Sequence, residues 1–170
     1  MGYAFHAYAV DECLIRDFWR SGREATVAEA MASPLAEFRE RQFPNMANAL
    51  RDIANDAVPV GDQPDGAVHL YATEILCALW GRKAGPELRV GPAGIHAAPE
   101  LKALFASAPV FYMIRTGAFP VMCGWGARQV ERRLNVAQRW PARLVREREI
   151  YSGWLRTAAE LKVSLVAFYY

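Results

Sequence analysis

The chain has 170 residues, 53% of them apolar and 22% charged, proportions of a globular protein that exclude a disordered polar chain. At this length a chain buries roughly two-thirds of the surface it exposes when unfolded, so its core needs neither metal nor disulfide. The net charge of +2 is too small to point to nucleic acid by itself.

In chain order, residues 3–10 are aromatic-rich, free of turn residues and read as a buried strand. Asp11 follows as an N-cap, with Leu14, Ile15, Phe18 and Trp19 as a helical stripe that Ser21-Gly22 ends. A second helix is expected over residues 24–31. Ser33-Pro34 then reads as N-cap and first-turn proline, with Glu37 placed to close an approximate capping box. Pro44 opens a further helix in the same way, with Met46, Leu50, Ile53 and Ala57 on one face.

Residues 58–66 (VPVGDQPDG) form the clearest loop, and the composition does not change across it. Helical spacing returns over residues 67–80, with Gly81 as C-cap. Residues 83–97 are punctuated by Gly and Pro, with a short strand near 88–90. A helix over 99–107 and a strand or buried segment over 110–114 come next. The stretch from Thr116 to Gly126 (TGAFPVMCGWG) reads as an apolar loop, unusual because loops normally run over a polar surface. Helices are expected over 127–136 and 141–161, and residues 163–170 close the chain as a strand. The expected fold class is α+β: a single compact domain over residues 1–170, mostly helical, whose small sheet includes the N- and C-terminal strands.

The three cysteines, Cys13, Cys77 and Cys123, are widely spaced and form no C-x-x-C pair, the usage of a reducing compartment. The opening MGYAFHAYAVDE has no basic segment and soon meets Asp11 and Glu12, unlike a signal peptide. The longest uncharged apolar run, residues 103–114, falls short of the about 20 residues a membrane helix needs. A cytoplasmic protein with no membrane association is expected.

Most side-chain patterns that carry chemistry are missing. His6, His69 and His96 lack the spacing of a zinc site, and no P-loop, G-x-G-x-x-G or G-x-S-x-G occurs. No metal, cofactor or catalytic residue is assigned. His69 sits at helical spacing from Cys77, and Asp52 from Asp56, but both pairs are more simply read as half-buried or solvated helix positions. Cys123, in C-G-W-G just before a helix, is the one thiol whose surroundings would suit activation, with Trp125 beside it.

Charge is distributed unevenly. Residues 24–65 carry eight acidic side chains against Arg39, Arg41 and Arg51, whereas residues 128–149 carry seven arginines against three glutamates. Trp140 and Tyr151 lie near the basic stretch, a combination that superficially suits nucleic acid. Arg143 and Glu147, spaced i,i+4, are expected to pair on one helix.

The MGYAFHAYAVDE start, the IYSGWLRTAAELK helix and the VSLVAFYY end, together with PVMCGWG, resemble the YfbM-like group of small bacterial proteins and their relatives. That resemblance implies a small α/β fold with paired terminal strands, and it carries no catalytic residues. The expected function is a non-enzymatic protein-binding module, of the immunity or antitoxin type, whose partner is another protein rather than nucleic acid. Its binding residues are Arg128, Arg132, Arg133 and Arg139, steered by charge, with Glu37 and Glu40 on the acidic side. The alternative is an enzyme or small-molecule binder with a pocket at the Thr116–Gly126 loop, lined by Cys123 and Trp125.

Overall fold

The structure, a computed structural model, describes residues 3–58, 66–105 and 121–170. The first strand, β1 (Ala4–Val10), leads into four short helices: α1 (Glu12–Phe18), α2 (Glu24–Met31), α3 (Pro34–Gln42) and α4 (Met46–Ala54). The long α5 (Gly66–Trp80) turns directly into β2 (Gly81–Lys83). Next come β3 (Leu88–Arg89), α6 (Pro92–Ala97), α7 (Pro99–Phe105), β4 (Val121–Trp125), α8 (Ala127–Ala137), α9 (Val145–Leu161) and β5 (Ser164–Tyr169). The fold is α+β, as expected.

The terminal strands are neighbours at the centre of an antiparallel sheet of order β2-β1-β5-β4, with β3 pairing the other end of β1. Phe5 lies opposite Tyr169 and Val10 opposite Ser164, while Trp125 lies opposite Leu165 on the far side of β5. Helices cover both faces. Phe5, Ala7 and Ala9 join Leu165, Ala167, Tyr169, Cys123 and Trp125 in a core with Leu101, Val130, Tyr151, Trp154 and Leu155. The opposite side chains, Tyr8, Val10, Val166 and Phe168, enter a second core with Ile15, Phe18, Leu50, Ile53, Ile75 and Leu76. Burial on both faces explains why β1 and β5 are apolar at odd and even positions alike, instead of alternating.

Several local expectations hold. Asp11 accepts from the Cys13 amide and Ser33 from the Ala36 amide, each capping its helix. Others are corrected by tertiary partners. Glu37 closes no capping box, because its carboxylate pairs with Arg41 one turn on. Pro44 does not open α4; Asn45 is its N-cap, and the Glu40 carboxylate accepts from the Asn45 and Met46 amides at 3.0 and 2.8 Å. Gly81 begins a strand rather than only ending a helix. A Cβ there would fall 2.5 Å from the Cys77 carbonyl and 2.7 Å from that of Ala9, so only glycine allows α5 to run into the sheet.

The expected apolar loop is also corrected in part. Val121–Trp125 forms strand β4, paired along its length with β5, which explains its apolar character. Residues 116–120, the expected segment at 110–114 and most of the loop at 58–66 lie outside the described residues.

Candidate functional site

The arginine-bearing helices come first because the sequence pointed to them. In α8, Val130, Leu134 and Ala137 face the sheet, as their spacing of i, i+4, i+7 requires. That orientation sends Arg128, Arg132 and Val136 outward at intervals of four, with Arg139 just past the helix end on the same side. All four are exposed. Among the described residues, none of these three guanidiniums has an ion-pair partner. Arg128 also stands in the first turn, where the helix dipole disfavours a cation, and one turn from Arg132, where like charges repel. Among the described residues no internal interaction accounts for this stripe.

Arg133 behaves differently. It is half-buried, and its guanidinium lies over the Trp125 ring, 5.7 Å from the centroid. The stretch beyond α8 continues the basic surface. Arg143 bonds Glu100 of α7 at 3.4 Å, instead of pairing with Glu147 as expected, because α7 is packed nearby. Arg148 donates to the Trp140 carbonyl at 3.4 Å, and Arg146 and Arg156 are exposed. Trp140 and Tyr151 are buried and stack on each other, 5.1 Å apart at 16°, so neither ring is free to stack on a base.

Cys123 and Trp125 lie beneath this surface, not on it. They are 1% and 2% exposed, and the Cys123 thiol points to the Ala167 carbonyl at 3.6 Å. Burial pushes this thiol up to about 12 from its ordinary 9.0. That is the reverse of activation, so the expectation of an accessible thiol lining a pocket is corrected for these two side chains. The Trp125 indole N–H and the Tyr151 hydroxyl are buried without a hydrogen-bond partner among the described residues.

Among the described residues, five of the acidic region's six carboxylates have internal partners, and Glu29 is exposed. Glu24 bonds Arg51 at 2.8 Å, and Asp56 takes Trp19 and Arg20. Those hydrogen bonds, that from Trp19 first, hold the Asp56 carboxyl below its usual range. Asp52, read as the i,i+4 companion of Asp56, instead meets the buried His69 at 2.9 Å. Glu37 and Glu40, offered as steering charges, are engaged by Arg41 and by the α4 amides.

One further cluster is not recognisable as a site from local sequence. Arg39 of α3 and Glu74 of α5, both almost fully buried, pair at 2.6 Å. The Tyr8 and Tyr170 hydroxyls donate to the other Glu74 oxygen at 3.1 and 2.7 Å. Burial, and next the Glu74 charge, raise both phenols well above their ordinary range, which keeps them donors. The Arg39 guanidinium lies over both the Tyr71 and Tyr170 rings, 4.2 and 4.3 Å from their centroids, where the two rings meet edge to face at 68°. Phe43 stacks on Tyr71 and His6 on Tyr170. Ala36 and Arg39 are the buried residues of α3, so the ion pair and the stack carry much of that helix's attachment. The signals were Tyr71 and Glu74 inside a largely apolar helix, but the partners of Glu74 are 35 to 96 residues away in sequence.

Among the described residues there is no group of His, Cys, Asp and Glu fit to hold a metal ion, and no helix long and apolar enough to cross a membrane. The profile of a family described as a domain of unknown function (DUF7691) matches residues 1–170, and the chain belongs to that family. No curated protein and no solved structure matches it.

Proposed function

We propose that this DUF7691 protein is a non-enzymatic protein-binding module that docks through the outer face of α8 and the start of α9 onto an acidic surface of another protein. The observation that carries this reading is the stripe of Arg128, Arg132 and Arg139 around Val136: three exposed guanidiniums that no carboxylate of the described chain neutralises. A stripe that costs helix stability and has no internal use is explained by an external one. Val136 is 50% exposed and Val145, at the start of α9, 45%, which puts apolar surface among the charges, as protein interfaces have. Glu131, Glu147 and Glu149 are interspersed with the arginines and would repel a phosphate backbone, and Trp140 and Tyr151 are turned inward. Both features favour a protein over nucleic acid. Occlusion of a partner's working surface, as by an immunity or antitoxin-type inhibitor, is the mode such a face suits.

The test is recovery of partners on the tagged chain from its native lysate, alongside the R128E/R132E/R139E variant. A stoichiometric protein retained by the first and lost by the second is the expected result. Equal retention by both, or recovery only of nuclease-sensitive nucleic acid, would reject the reading.

A further inference from the structure

Beside the arginine stripe, the end of α8 and the middle of α9 enclose a surface cleft of about 200 Å³ lined by Gln138, Arg148, Glu149, Ser152 and Arg156. Its floor follows from helical spacing. Arg148, Ser152 and Arg156 are four residues apart in turn, so they stand one above another on α9, with a guanidinium one turn to each side of the hydroxyl. Ser152 is 6% exposed, yet its side chain faces the cleft and makes no hydrogen bond to any described residue. Arg148 is half-buried and held by its bond to the Trp140 carbonyl, which leaves further N–H groups of its fork to donate elsewhere. Arg156 has no ion-pair partner among the described residues.

The geometry points to a carboxylate-binding notch, in which a carboxylate accepts from Arg148, Arg156 and the Ser152 hydroxyl, with the Gln138 amide at the rim. The Arg148 fork, held by the Trp140 carbonyl, suits a planar two-oxygen anion, and the exposed Arg156 can close on it from the other side. Glu149, also on the wall, sets the preference: its negative charge tolerates a monoanion better than a phosphate dianion. The inference rests on the proposed docking only for the source of the group, an aspartate or glutamate side chain on the partner. The notch itself is a property of α8 and α9. A shallow cleft suits one side chain rather than a free metabolite, because the anchoring affinity must come from the rest of the interface.

The test is titration of the isotope-labelled full chain with capped glutamate (N-acetyl-glutamate α-amide), followed by NMR, with sodium chloride at equal ionic strength as control and inorganic phosphate as comparison. Saturable shifts at the Ser152 amide and the Arg148 and Arg156 side-chain N–H signals are expected, reduced at least tenfold in affinity in Arg156→Gln. That exposed residue has no structural partner among the described residues, so the variant folds. Ser152→Ala should weaken binding less. Shifts no larger than those from chloride, shifts unchanged in Arg156→Gln, or binding of phosphate in preference to the carboxylate would each overturn the notch. None of these outcomes depends on the lysate experiment, so failure of the notch and failure of the docking face are told apart.

Discussion

The two charged regions of this protein, residues 24–65 and 128–149, look like mirror images in composition and are opposites in structure. Of the six described carboxylates in the acidic region five are engaged at home: Glu24 by Arg51, Glu37 by Arg41, Glu40 by the start of α4, Asp52 by His69 and Asp56 by Trp19 and Arg20, with the exposed Glu29 as the exception. The region's third arginine, Arg39, is taken into the core by Glu74. In the basic region Arg128, Arg132 and Arg139 have no such partners among the described residues, and Arg143 finds one only on α7. Excess charge in a sequence is therefore no measure of charge offered to a partner. The spare charge is the part that the fold does not itself use.

If the acidic region's charges are structural, the largest effect of any substitution there falls on stability. Glu74→Gln in α5, outside the region, leaves the region's Arg39 buried without its counter-charge and should cost about 3–5 kcal/mol in denaturant unfolding. Arg39→Met should cost a similar amount, and the double variant less than the sum of the two. Additive losses would show that the pair is not coupled.

The basic region should show its chemistry at the surface and not in the core beneath it. The rise of Cys123 from 9.0 to about 12 lowers its thiolate fraction roughly a thousandfold near neutral pH. Iodoacetamide should therefore modify the exposed Cys13 in the native protein, and Cys77 and Cys123 only after unfolding. Native labelling of Cys123 at pH 7 would return the loop reading of that strand.

Association gives the most direct contrast. Arg128→Glu, Arg132→Glu and Arg139→Glu together should slow binding of a captured partner by about tenfold or more at low salt, with the difference shrinking as salt rises. Glu37→Gln and Glu40→Gln should leave that rate unchanged. Equal effects on both sides would restore a dipolar surface in which both regions steer.

Smaller effects come from half-buried and exposed groups. His6 stacks on Tyr170 and is held below its ordinary 6.5, by burial first, against Glu74 and Glu87, which favour its charged form, while Lys83 and Arg39 oppose it. A depressed folded-state value means the unfolded chain binds the proton more readily. The His6 contribution to stability is thus present above about pH 6.5 and is lost as pH falls through the folded-state value. His6→Phe should flatten that part of the stability–pH curve. Smallest of all, Glu37→Gln breaks an exposed i,i+4 pair and should cost about 0.3–0.5 kcal/mol.

Much of the architecture was legible because it is local. Caps at Asp11 and Ser33, the helical stripes of α5 and α9, and the uninterrupted apolar runs at both chain ends are properties of a few neighbouring residues, and each was read as it stands. The candidate site was legible only in part. The outward stripe of Arg128, Arg132 and Arg139 follows from the spacing of Val130, Leu134 and Ala137, but nothing local says whether a guanidinium has a partner. Arg39 and Arg132 look alike in sequence, each within a charged helix. One is nearly sealed in the core and the other has no ion-pair partner among the described residues, because Glu74 and Tyr71 of α5 and Tyr170 just past β5 converge on Arg39.

Local pattern was enough to set an α+β chain whose small sheet includes its terminal strands, since hydrophobic periodicity and capping act over one or two turns. Three-dimensional packing settled that those strands lie at the centre of the sheet, that VMCGW enters it, that Cys123 is sealed, and which charges are left over. Those outcomes depend on which distant side chains share a face of the sheet, and the energy of an ion pair depends on distance and burial, which no local pattern encodes.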